Sequence, residues 1–135
     1  MTAQTENERI GAVVDEAYRA LAFDPGGAPE WDRFHAAFVP EALLALRVFP
    51  QDTAIRVLTL DRYAAAQLEN ELGAQGYGET PGRREVTLVG DVAAVRQEFT
   101  MNFADRDVPA VDLFLLARVG AVWRIVAVAS DMTHN

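Results

Sequence analysis

Hydrophobic positions change their spacing once along this chain, from a helical period in the first half to an alternating one in the second. Ile10, Val13, Val14, Ala17 and Leu21 recur at three- and four-residue steps and mark one face of a helix. Thr5 and Glu8 match a capping box, which satisfies the orphan amides of a helix start, and the pattern runs to about Phe23. The stretch DPGGAP at 24–29 breaks it, since Pro and paired Gly do not continue a helix. A second, short helix is predicted from Trp31 to about Phe38, closed by Pro40. ALLALRVF (42–49) reads as a strand and Ile55 to Leu58 as a shorter one. TLDRYAAAQLENELG (59–73) reads as a third helix, with Thr59 as its N-cap and Gly73 as its stop. The runs GRREVTLVG, DVAAVRQEFTMNF, PAVDLFLLARV and VWRIVAVASD follow, four β-rich segments separated by Gly90-Asp91, ADRD and Gly120. Three helices followed by a curled antiparallel sheet is an α+β plan. With 135 residues, 50% of them hydrophobic, one domain over residues 1–135 is expected.

Alternation along the strands predicts which side chains point into the concavity of such a sheet. Ala93, Val95, Gln97, Phe99, Met101 and Phe103 share one face of their run, and Arg96 and Glu98 lie on the other. Gln97 is then a polar side chain aimed into an apolar space, and it needs either a ligand or a neighbouring backbone partner. In the last run Arg124 marks the outside, which puts Trp123, Ile125, Ala127 and Ala129 inside and Val122, Val126 and Val128 outside. In the preceding run Val111, Leu113 and Leu115 are expected to point in, with Phe114 and Leu116 out. A sheet apolar on both faces must be covered on both, and there are too few helices to do it. A homodimer through the outer face, including Phe114 and Val126, is therefore expected.

Composition narrows the chemistry. The 12 basic residues, all Arg, face 20 acidic ones, and no Arg cluster exceeds Arg83-Arg84, so nucleic acid is not an expected partner. No apolar run approaches the ~18 residues of a membrane span, and MTAQTENERI lacks a signal core; no membrane association and a cytoplasmic location are expected. There is no Cys and no Lys, and Ser130 is the one Ser, outside any nucleophile-elbow pattern. Covalent catalysis by these residues is thereby excluded, and DPGGAPE has neither Walker nor GxGxxG spacing. Asp, Glu, Tyr, His and water remain, which points any enzymatic role to acid/base chemistry without a cofactor. No metal is expected, because His35 has only His134, near the C-terminus, as a second imidazole.

The order of elements, the segments WDRFHAAFVPEA and TLDRYAAAQL, and the ending GAVWRIVAVASD resemble the nuclear transport factor 2-like (NTF2-like) superfamily, especially its SnoaL-like and ketosteroid isomerase-like members. The resemblance covers nearly the whole chain. It implies a cone, in which a bent sheet wraps the first helix and leaves an apolar pocket at its wide end. Members include isomerases, dehydratases, cyclases, epoxide hydrolases and domains that only bind. Isomerase-like members hold a tyrosine near the position of Tyr18, whose hydroxyl donates into the pocket. They also carry a general-base Asp on the strand after the second helix, where ALLALRVF has no carboxylate.

Tyr18, His35 and Gln97 are the candidate catalytic groups, and Trp31, Phe34, Phe38, Tyr63, Phe99, Met101 and Trp123 the candidate pocket walls. Each polar candidate has a packing alternative. Tyr18 suits the core, Gln97 suits a backbone partner, and His35 lies on the Trp31, Phe34, Phe38 stripe with its ring closed off and a nitrogen bonded to backbone. Registering the PAVDLFLLARV run on Arg118 turns Asp112 outward, as a structural or interfacial residue; Asp131 reaches the pocket rim and Glu98 is a solvated outer charge. Two functions fit. One is a protein that holds an apolar small molecule without turnover, in natural-product metabolism; the other is a cofactor-independent isomerase, cyclase or dehydratase of polyketide or steroid-like substrates.

Overall fold

The first helix, α1 (Ala3–Leu21), begins at Thr2, whose hydroxyl accepts the Thr5 amide at 3.2 Å. The cap is thus one turn earlier than the Thr5–Glu8 box predicts. The structure, a computed structural model, describes residues 2–48, 52–68, 71–103 and 105–133, with backbone alone at 71 and 72. His134 and Phe49 lie outside the described residues. After α1 come α2 (Trp31–Ala36), β1 (Phe38–Leu46), β2 (Arg56–Thr59), α3 (Leu60–Leu68), a 3₁₀ turn at Glu71–Ala74, and four long strands: β3 (Gly78–Val89), β4 (Val92–Phe103), β5 (Arg106–Val119) and β6 (Val122–Met132). Thr59 caps α3 as expected, accepting the Arg62 amide at 3.3 Å.

Several boundaries differ from those predicted: α3 ends at Leu68 and β5 begins at Arg106 inside the ADRD separator, and two further cases involve Pro. Pro40 does not close α2; it lies inside β1, where pairing with β6 shifts register between Phe38 and Leu43 and a missing amide costs no ladder bond. Likewise β3 starts at Gly78 instead of Gly82, because Pro81 and Gly82 sit in a register shift of the β3–β4 pair rather than in a loop.

The six strands form one open sheet in the order β2-β1-β6-β5-β4-β3, antiparallel except for β1 beside β6. Two-residue turns join β3 to β4 at Gly90-Asp91 and β5 to β6 at Gly120-Ala121, and both glycines adopt the positive φ such turns require. α1 lies in the concavity with Ile10, Val14, Ala17, Tyr18 and Leu21 buried against the sheet. Gly11 faces β3, and a Cβ there would stand 2.6 Å from the Arg84 guanidinium, which crosses the helix to pair with Asp15. At one end of the sheet Glu6 is buried, accepts the Trp123 indole N–H at 2.6 Å and pairs with Arg118 at 3.5 Å. That contact pins the start of α1 to the β5–β6 hairpin.

The inward face of β4 is as predicted, with all six expected residues buried. The inward face of β5 is the reverse of the expectation. Ala110, Asp112, Phe114 and Leu116 are buried, while Leu113 and Leu115 are more than half exposed. Residues directly opposite in an antiparallel pair share a face, and Gln97 stands opposite Asp112, Val95 opposite Phe114 and Ala93 opposite Leu116. The correctly assigned β4 therefore fixes β5. In β6, Trp123 and Ile125 point in, but Val126 is an extra residue between the Leu116–Ile125 and Leu115–Ala127 pairs. This bulge inverts the alternation, so Val128 and Ser130 face in and Ala129 faces out, with Ala127 on the outer side among Leu43, Leu113 and Leu115.

Candidate functional site

A cavity open to solvent lies between the C-terminal half of α1, the helices α2 and α3, and the inner face of the sheet. The walls are aromatic. Phe34 of α2 packs on Phe38 (ring centroids 4.7 Å apart) and on Tyr63 of α3 (5.7 Å), while Phe99 of β4 and Phe114 of β5 close on the Tyr18 ring at 5.5 and 6.1 Å. Met101 and Leu44 complete the apolar surface.

Two carboxyls enter this surface. The Tyr18 hydroxyl donates to Asp112 Oδ2 at 2.6 Å, both residues being almost fully buried, and Ser130 on the neighbouring strand also hydrogen-bonds Asp112. At the start of β3, the hydroxyl of Tyr77, just before the strand, donates to Glu79 Oε2 at 2.5 Å. Burial pushes the Asp112 carboxyl up to about 6, against the pull of the Ser130 and Tyr18 hydrogen bonds. Burial first, and the Asp112 charge second, push Glu79 up to about 8, with the Tyr77 hydrogen bond opposing. At neutral pH the two acids together hold about one proton. Burial also raises the Tyr18, Tyr63 and Tyr77 phenols, so all three stay protonated; Tyr18 and Tyr77 donate to the carboxyls, and Tyr63 accepts from the Gln67 amide. At the mouth Arg47, just past β1, is bound by Asp131 (3.0 Å) and by the Thr53 carbonyl (2.5 Å).

No family model and no curated protein sequence matches the chain. Solved structures match nearly all of it. An NTF2-like protein with a cystatin-like fold from Novosphingobium aromaticivorans is 17% identical with a TM-score of 0.76, covering 98% of this chain and 84% of that one. An NTF2-like protein of unknown function from Methylobacillus flagellatus is 20% identical at TM-score 0.67, covering 98% and 96%. A protein from Streptomyces avermitilis, named as a candidate dehydratase of the NTF2-like family, is 15% identical at TM-score 0.72, covering 99% and 100%. The chain has the NTF2-like fold. Identities of this size carry the fold and leave the chemistry to the side chains.

Within that NTF2-like frame, Tyr18, Phe34, Phe38, Tyr63, Phe99 and Met101 line the cavity, and Trp31, His35, Gln97 and Trp123 do not. Gln97 is fully buried but satisfied elsewhere. It accepts from Arg84 Nε at 2.5 Å and donates to the carbonyls of Gly82, Arg83 and Glu98 at 2.9 to 3.2 Å, which ties together the two strands at the β3 register shift. His35 packs at a tilt against Trp31 and Phe34, each with centroids 6.2 Å away, and its buried Nε2 has no hydrogen-bond partner among the described residues. It is a packing residue lacking the expected backbone bond at that atom. Trp31 touches Phe34 and Tyr63, and Trp123 is held at Glu6.

Sequence reasoning missed Asp112, Glu79, Tyr77, Ser130 and Arg47. For Asp112 the signal was available, since the short β4–β5 connection carries the odd-numbered inward face of β4 onto even numbers in β5. Glu79 and Tyr77 were hidden by the Pro81-Gly82 pair, which mimics a loop. Ser130 was hidden by the Val126 bulge.

Proposed function

We propose that this chain binds one small, largely apolar molecule in the cavity of its NTF2-like fold, as a cytoplasmic homodimer of a single domain serving natural-product metabolism. Phe34, Phe38, Tyr63, Phe99 and Met101 are the walls, and Tyr18, Asp112 and Glu79 the polar contacts that orient the guest. One observation carries the reading: an aromatic cavity open to solvent meets two tyrosine-bonded carboxyls, Asp112 buried and Glu79 half-buried. Such convergence of few polar groups in an apolar concavity is what ligand sites share. The dimer is supported by the uncovered outer face, where Leu43, Val57, Leu113 and Leu115 stand together. Titration with the neutral fluorophore 1-aminoanthracene is expected to give saturable, blue-shifted emission at one probe per chain. Met101→Trp, which fills the cavity, should abolish it at a nearly unchanged melting temperature. Absence of saturable binding to the native chain would refute the proposal.

A second reading, proton transfer on the bound molecule, is favoured by the unequal carboxyls. Asp112, ionised near neutral pH, suits a base, and Glu79, still protonated, suits an acid. As a base Asp112 takes a proton from carbon, and Glu79 donates a hydrogen bond to the oxygen that gains charge. The expected result is catalysed deuterium uptake at the α-carbons of 2-indanone in heavy water, lost in Asp112→Asn. Equal exchange by the native chain and by the Asp112→Asn variant would sink this reading.

A further inference from the structure

We propose that the molecule held in this cavity is a small amine with an apolar, ring-sized body, its ammonium group seated between Glu79 and Asp112 and its body against the aromatic walls. The inference rests on the binding reading above and adds the charge of the ligand.

The argument starts from the charged groups that face the cavity. Glu79 comes from β3, Asp112 from β5 and Asp131 from β6, against one cation among the described lining residues, Arg47. Arg47 is engaged at the mouth by Asp131 and the Thr53 carbonyl. The Arg84 guanidinium, on the α1 side, is committed to Asp15 and Gln97, although its charge reaches Tyr18. Among the described lining residues no uncommitted cation therefore faces these two acids. Tyr18 from α1, Tyr77 from just before β3 and Ser130 from β6 only donate neutral hydrogen bonds to them. A carboxylate offers about four lone-pair sites, more than one tyrosine fills.

An anionic guest would bring a further negative charge to a pair in which the Asp112 charge already favours the proton on Glu79. A neutral guest would leave that charge unbalanced. An ammonium supplies the missing charge and donors for both carboxylates. The surrounding rings favour the same choice, because aromatic faces carry the negative end of the ring quadrupole and attract cations. The formal net charge of -8 draws cations toward the molecule from further away.

Binding a cation favours the ionised carboxyls, so occupancy should displace protons, and affinity should rise as pH increases through the range about 6 to 8 in which Asp112 and Glu79 titrate. Calorimetric or NMR titration of the native chain with three probes of like shape tests this: 2-phenylethylamine, 2-phenylethanol and 3-phenylpropionate. At pH 8.5 the amine is expected to bind about tenfold or more tighter than the alcohol, and the carboxylate weakest of the three. At pH 5.5 the lead of the amine should shrink, and Glu79→Gln should flatten much of that pH dependence. An alcohol that binds as tightly as the amine at pH 8.5 overturns the amine inference and leaves the binding reading intact. Failure of all three probes overturns both. Should Glu79→Gln not fold, the comparison of the two pH values in the native chain still decides.

Discussion

Glu79→Gln should raise the stability of the chain at pH 9 by roughly 2 to 4 kcal/mol, on the order of 10 °C in melting temperature, and change it little at pH 4.5. The sign follows from where the proton sits. Unfolded, Glu79 ionises above its ordinary value of 4.5, whereas folded it holds its proton up to about 8. Across that window the folded chain binds more protons, so the stability associated with this residue is full below about pH 4.5 and falls as pH rises toward 8. Gln has the shape and the acceptor oxygen of the protonated acid and never ionises, so it removes the loss. Thermal melts of both forms at the two pH values check the expectation. A variant no more stable than the native chain at pH 9 would mean that Glu79 ionises freely and that burial does not hold its proton. The experiment also bears on function, because an acid that weakens the fold above neutral pH is the kind of residue retained for a site rather than for packing.

Leu115→Arg should convert the proposed dimer to monomer. Leu113 and Leu115 expose more than half their surface on the outer face of the sheet, beside Leu43 and Val57, and no helix among the described residues covers them. In a two-fold dimer the substitution occurs twice, so each interface receives two unpaired guanidinium groups. Near the centre of an apolar interface that is expected to cost about 2 to 4 kcal/mol or more, a loss of at least ~30-fold in association. Light scattering at micromolar concentration should report a dimer for the native chain and a monomer for the variant, with melting still cooperative. A native chain that is already monomeric would count against the dimer itself.

These two residues also show why the site was only half legible in the sequence. Element order, the helix faces and the inside of β4 could be read directly, since Phe99, Met101 and Phe103 alternate with Arg96, Glu98 and Asn102. β5 could not be read alone. Its outward leucines are as apolar as its inward residues, so hydrophobicity says nothing about which parity faces the core. Registering the run on Arg118 as an outer residue turns Asp112 outward, whereas Arg118 shares the inner parity and pairs with the buried Glu6. Pairing with β4 resolves it. Gln97 and His35 were drawn toward the site by the opposite error, a polar group on an inward face being taken as a ligand contact when backbone carbonyls satisfy the first and aromatic packing places the second.

The bulge at Val126 has the widest reach of these features. Every residue of β6 beyond it owes its side of the sheet to one extra position, which aims Ser130 at Asp112 and turns Asp131 toward Arg47 at the mouth. With an unbroken alternation, Asp131 would replace Ser130 on the inner face and stand as a third acid beside Glu79 and Asp112. The acidity of the cavity is therefore set by chain length as much as by residue identity. A lineage carrying this fold can retune its pocket by gaining or losing a single residue in a strand, with no residue of the site itself substituted.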